Sequence, residues 1–227
     1  MMLMGRKKVE PIVEPILEPR RSAQTLENII GCSNIQEEVK RYAVFLKNPE
    51  KFQSLNVTVG RGCLLVGPIG SGKRTIAHAV AGEAKVNLFD ISDLLPDVES
   101  VFGYKLLCNG EKVGVEHFFD ACRKHTPCVV FINHLDIITD RCNDIVMMFL
   151  HEMEKSTVND GIIFFAAACE EADIFGEKLF CRSGRFTHQV KFLPPNFQER
   201  KEIFTFLLRD VKHDNTVDVD ILSLIHI

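Results

Sequence analysis

The sequence predicts an α/β domain with a mostly parallel sheet, and three observations predict it. Short, mainly apolar runs recur at residues 63–66, 86–91, 128–132, 162–168 and 190–193. Runs without polar alternates suit strands buried on both faces of a parallel sheet. The gaps near 73–84, 114–125, 141–155 and 196–209 carry helical periodicity, giving the strand–helix alternation of such a fold. Finally, the first run leads directly into a glycine-rich turn, Gly67-Pro68-Ile69-Gly70-Ser71-Gly72-Lys73-Arg74-Thr75.

The 227 residues carry 27 Lys+Arg against 31 Asp+Glu, a net charge of −4, with 46% hydrophobic and 26% charged residues. These are globular values for one full domain or slightly more. They exclude collagenous and disordered chains, and offer no excess cation for a nucleic-acid partner. No run of 18 or more apolar residues exists to span a bilayer, and the N-terminal MMLMGRKKVE lacks the apolar core of a secretory signal. Eight cysteines never form a CxxC pair and several sit inside apolar runs, so they read as buried, reduced thiols.

Residues 1–25 read as a Pro/Glu linker without fixed structure. Glu10-Pro11, Glu14-Pro15 and Glu18-Pro19 repeat at four-residue spacing, which forbids helix and favours an extended tether. The folded domain is expected over 26–194. It opens with a helix carrying Val39, Tyr42, Ala43 and Leu46 on one face and closed by Pro49. Residues 195–227 follow as a C-terminal helical part.

The glycine turn, placed between a buried strand and a helix, is a phosphate loop. Glycines let backbone N–H groups converge on an anion, and the helix N-terminus adds its dipole. Lys73 then adds a point charge for β- and γ-phosphates. The usual Ser or Thr after the lysine, which ligates Mg²⁺, is Arg74 here. Thr75 supplies a hydroxyl one residue later, turned by about 100° around the helix. A guanidinium about 4 Å from a divalent ion would repel it by roughly 8 kcal/mol at an effective dielectric of 20. Arg74 therefore excludes a normally held Mg²⁺ unless its side chain swings away.

With the loop in place, EEVKRYAVFLKNPEKFQSL, GCLLVGPIGSGK, AHAVAGEAKV, TPCVVFI and RSGRFTHQV closely resemble the AAA+ ATPase module of the FtsH-like, ATP-dependent zinc metalloproteases. The resemblance covers about residues 26–210. It implies a P-loop NTPase fold with a five-stranded parallel sheet flanked by helices, and ATP held by Gly67, Pro68, Gly70, Ser71, Gly72, Lys73, Arg74 and Thr75. It also implies hexameric rings that thread polypeptide into a protease domain, and a full-length protein at an organelle membrane, mitochondrial or plastid. The family's helical lid would only be beginning at residue 227, so a fragment of a longer protein is expected.

Departures from the family pattern are as informative. Where the family has Asp-Glu after its second motif strand, this chain has Asn133-His134. The Asp orients Mg²⁺ and the Glu polarises the attacking water, and both tasks need carboxylates. Where the family has a γ-phosphate-sensing Asn or Thr, the chain reads Cys169-Glu170-Glu171. The resemblance thus implies a subunit that binds ATP weakly or without Mg²⁺ and does not hydrolyse it. Alternatives are a working ATPase with a rebuilt metal site, for instance through Asp136 or Asp140, and an interaction module without nucleotide. Arg182 and Arg185 match the family's arginine fingers, which act on the neighbouring subunit's nucleotide; surface ion pairs are the other reading. Phe102 and Tyr104, in a segment 94–113 longer than the family's pore loop, either grip a threaded chain or pack on their own domain. No HExxH zinc motif occurs, since His151-Glu152 lacks the second histidine, so no zinc is expected.

Overall fold

The computed structural model describes residues 17–55, 60–97, 103–136, 143–155, 160–169, 185–213 and 217–224. A sheet of seven strands runs through the domain in the order β4-β3-β2-β5-β6-β1-β7. Its strands are β1 (Gly62–Val66), β2 (Asn87–Asp97), β3 (Gly103–Cys108), β4 (Glu111–Gly114), β5 (Cys128–Ile132), β6 (Ile162–Ala168) and β7 (Phe186–Lys191). The five expected strands are all present and mutually parallel. The difference is an added antiparallel pair, β3 and β4, on the outer edge of β2. The described residues of segment 94–113 are therefore strand apart from the turn at 109–110. Its turn, Asn109-Gly110, has φ of 54° and 98°, the left-handed pair that a two-residue hairpin demands.

Seven helices are described: α1 (Ser33–Lys47), α2 (Pro49–Ser54), α3 (Lys73–Ala84), α4 (Val115–Lys124), α5 (Asn143–Lys155), α6 (Phe197–Leu207) and α7 (Val219–Leu224). Pro49 ends α1 as expected and then opens α2, where its missing N–H costs nothing. On one face of the sheet, α1 and α3 bury Val39, Tyr42, Ile76 and Val80 against Leu65, Phe131 and Phe165. On the other, α4 and α5 bury Phe118, Phe119, Phe149 and Met153 against Val130 and Phe164. Neighbouring strand residues thus serve opposite cores, which is why the runs show no polar alternate.

Residues 17–25 correct the expectation of a structureless linker to residue 25. Leu17 is buried in the α4–α5 core. Arg20 exchanges both backbone hydrogen bonds with Leu88, at 2.8 and 2.9 Å. The outer edge of β2 there has unpaired peptide groups, and such groups seek partners. Segment 22–24 lies so close over α3 that a Cβ on Gly82 would stand 1.9 Å from the Gln24 carbonyl oxygen. The remaining linker residues lie outside the described residues. No described helix is long and apolar enough to cross a membrane. Cys63, Cys108, Cys122 and Cys128 are buried and unbridged, and burial pushes the Cys63 and Cys108 thiols up to about 12.

Candidate functional site

Sheet order places the site. β1 lies between β6 and β7, whereas its successor β2 lies across β5 and β6. The chain thus leaves β1 at a topological switch point, where open α/β sheets form a crevice at the strands' carboxyl ends. Residues 67–72 turn there, with φ of 81° at Gly70 and 88° at Gly72, which only glycine adopts freely. Gly67 permits close approach, since a Cβ would stand 2.6 Å from that of Phe192. α3 then starts at Lys73, capped by Gly72.

Lys73 Nζ folds back over the loop and donates to the carbonyl oxygens of Gly67 at 2.6 Å and Pro68 at 2.7 Å. Burial pulls this ammonium below its usual pKa, opposed by the Cys169 thiol and the Asp136 carboxylate. Opposite it stand the ends of the next two central strands. Asn133 and His134 follow β5, and Cys169 follows β6. All three line a cavity of about 290 Å³ with loop residues 69–75. His134 has φ of 50°, a left-handed conformation that histidine tolerates better than most side chains. Asp136 does not line this cavity; its Oδ2 accepts from the Cys169 backbone N–H at 3.0 Å and ties the ends of β5 and β6 together. Asp140, Glu170 and Glu171 lie outside the described residues.

A second cavity of about 440 Å³ adjoins the first and shares Gly70, Ser71, Gly72 and Thr75 with it. Its walls are Ile29, Ile30 and Cys32 ahead of α1, Leu193 after β7, and Ile203 and Phe206 on α6. Sequence reading missed this half. The available signal was the apolar pair before Gly31, whose positive φ of 76° lets it lie against Ile203. One lobe presents N–H groups, hydroxyls and an ammonium; the other presents aliphatic and aromatic surface. Together they fit a ligand with an anionic end and a flat apolar end, as ATP has.

The donor set fits Mg²⁺ poorly. Among the described residues, the wall of the phosphate lobe contains hydroxyl, amide, imidazole and thiol groups but no carboxylate. A hard divalent ion that keeps its waters is normally anchored by one or two carboxylates besides phosphate. Arg74 has swung aside. Its Nη2 donates at 2.5 Å to Asp90 Oδ2 on β2, and His78 Nε2 lies 2.9 Å from the same oxygen. Burial pushes the Asp90 carboxyl up, but the hydrogen bond from His78 and the charge of Arg74 outweigh it and hold it below the usual range.

Arg185 is buried at 6% exposure, and its Nε donates at 2.7 Å to Glu154 Oε1 near the end of α5. In this arrangement the pair links the end of α5 to the start of β7. Arg182 and Phe102 lie outside the described residues, as does the side chain of Tyr104, the second residue of β3. Among the described residues no group of three or more His, Cys, Asp or Glu side chains could hold a metal ion.

A glycine loop at the carboxyl end of β1, a lysine at the first turn of α3 and a five-strand parallel core define a P-loop nucleotide-binding α/β protein. More narrowly, the chain belongs to the ATPase family associated with various cellular activities (AAA), whose profile matches residues 63–193. It is similar to the ATP-dependent zinc metalloprotease YME1L of Drosophila melanogaster, 34% identical over 91% of this chain and 28% of that protein. It is also similar to two proteins named ATP-dependent zinc metalloprotease FtsH. That of Cupriavidus metallidurans is 34% identical over 92% of this chain and 32% of its own length. That of Parabacteroides distasonis is 36% identical over 88% and 30%. These relatives bear out the resemblance read from the motifs, and the chain spans about a third of their length.

Proposed function

We propose that the chain is an FtsH-like AAA+ subunit that holds ATP in the two-lobed cleft without a normally bound Mg²⁺ and does not hydrolyse it. The observation that carries the reading is a phosphate lobe with an intact glycine loop and Lys73 but no carboxylate among its described lining. Gly67, Pro68, Gly70, Ser71, Gly72, Lys73 and Thr75 would cradle the phosphates; Ile29, Ile203 and Phe206 would enclose the base. Bound ATP supplies the phosphate anhydride. This chain's own groups orient it, and Asn133 and His134 provide neither a metal anchor nor a fixed carboxylate base. A lost general base alone typically removes 10²–10⁴-fold in rate.

Such a subunit acts by assembly, completing a ring with hydrolysing relatives in protein unfolding and proteolysis. Its contribution in trans falls to Arg182, with Arg185 joining only on release from Glu154. Phe102 and Tyr104 are the candidates for contact with a threaded chain. The full-length protein then sits at an organelle membrane.

The test is titration of a fluorescent ATP analogue into the chain with Mg²⁺ and then with EDTA, alongside phosphate release. Similar affinity in both, background hydrolysis, and loss of binding by at least about ten-fold in Lys73→Ala are expected, since one charge-assisted contact to phosphate is removed. Binding that requires Mg²⁺, with hydrolysis abolished by Lys73→Ala, would instead establish a working ATPase with a rebuilt metal site. If no nucleotide raises thermal stability, the chain is an interaction module, because ligand at 100 times its Kd should add about 2.7 kcal/mol.

A further inference from the structure

We infer that Asp90 is a positioning residue that withholds the Arg74 guanidinium from the phosphates, so that one arginine, shared between a buried carboxylate and the ligand, sets the metal-free affinity of the cleft. The inference rests on the nucleotide-binding reading and deepens it.

Arg74 lines the phosphate lobe directly after Lys73, and its side chain is 52% exposed, so it has room to turn. Its partner belongs to a different element. Asp90 sits on β2 at 2% exposure, with Arg74 and His78 both on Oδ2 and no hydrogen-bond partner on Oδ1 among the described residues. A buried carboxylate served on one oxygen is under-satisfied, and it draws strongly on each donor it has. A guanidinium meets carboxylate and phosphate oxygens with the same fork geometry, so the two anions compete for it.

Two further contacts make the exchange workable. Asp90 cannot follow the arginine, because its backbone is fixed to the β3–β4 turn. Its N–H donates to Asn109 Oδ1 at 3.1 Å, and the Asn109 N–H donates to the Asp90 carbonyl oxygen at 3.0 Å. His78 lies one helical turn beyond Arg74 on α3 and on the same face, so it stays on Oδ2 when the arginine departs. A carboxylate that merely fastened α3 to β2 would need His78 alone; the addition of Arg74 is what couples the pair to the loop.

The experiment measures the Kd of the fluorescent ATP analogue in EDTA for the unmodified chain, Asp90→Asn, Arg74→Ala and the double variant. Asp90→Asn is expected to tighten binding about ten-fold, the size of one charge-assisted hydrogen bond discounted for exposure. The double variant should bind no better than Arg74→Ala. Unchanged or weaker binding in a folded Asp90→Asn chain, or a gain that survives in the double variant, would overturn the inference. Should Asp90→Asn not fold, nitrogen NMR of the unmodified chain decides: adding the analogue in EDTA should shift the Arg74 Nε–H and His78 ring signals together, and unmoved signals sink the idea. Absence of binding to the unmodified chain under both conditions refutes the nucleotide reading as stated. The inference survives that result only if Asp90→Asn then gains Arg74-dependent binding.

Discussion

Asn133→Asp combined with His134→Glu and Arg74→Thr is expected to raise ATP hydrolysis by about 10²–10⁴-fold over the unmodified chain, the range a positioned general base contributes. Each substitution returns one missing part to a place the fold already provides. Asn133 and His134 stand at the carboxyl end of β5 and line the phosphate lobe, so the new carboxylates enter the cavity that now has none among its described walls. Arg74→Thr adds the hydroxyl that Mg²⁺ needs. Groups that act as a unit are strongly non-additive, so each single reversion should gain little. His134 is left-handed, a conformation that Glu tolerates less well than His, so a lower Tm is expected and is read separately. The measurement is phosphate release at saturating Mg-ATP, with Lys73→Ala added to the triple variant as control. A rate that does not rise would mean that something else limits, such as Cys169 on the wall of the phosphate lobe or the absence of a neighbouring subunit.

The sheet and the loop were legible because their signals are local. The helix expected over 73–84 is α3 to the residue, since Gly72 and Ala84 bracket a clean period. The apolar runs became the five parallel strands, with the last displaced: β7 spans Phe186–Lys191, where the polar run Thr187-His188-Gln189 hid its start. The hairpin was missed because its strands carry no apolar run longer than Leu106-Leu107-Cys108, although Asn109-Gly110 is a strong two-residue turn signal. Nor does any motif mark Asp90. One carboxylate inside an apolar strand acquires meaning only when α3 brings Arg74 and His78 onto it. The apolar lobe was equally invisible, because Ile29 and Phe206 lie at opposite ends of the chain and meet only through α6. Reading Arg74 from its position alone placed its charge at the metal; the fold places it on Asp90.

Phe119→Ala is expected to cost about 3–5 kcal/mol, the usual range for removing a buried phenyl ring. Phe119 is fully buried on α4, with its ring centroid 5.4 Å from Phe118, 5.0 Å from Phe149 on α5 and 6.0 Å from Phe164 on β6. It therefore joins two helices and the sheet at one point, and no single neighbour can relax into its space without leaving the others. Against a total stability of about 5–15 kcal/mol for a domain, the loss is a fifth or more. Urea unfolding, with the slope checked for constancy, measures it. Val44→Ala on α1, 45% exposed, should stay within about 0.5 kcal/mol in the same assay. The consequence reaches the cleft, because β6 leads into Cys169 and α4 with α5 backs the sheet from which Asn133 and His134 emerge. If the ring is the keystone of that layer, Phe119→Ala should weaken nucleotide binding as it unfolds the chain, and both effects should recover together at low temperature or with a stabilising osmolyte. A stability loss under about 1 kcal/mol would mean that this face is loosely packed, and the positions of Asn133 and His134 would then have to be fixed from the α1–α3 side.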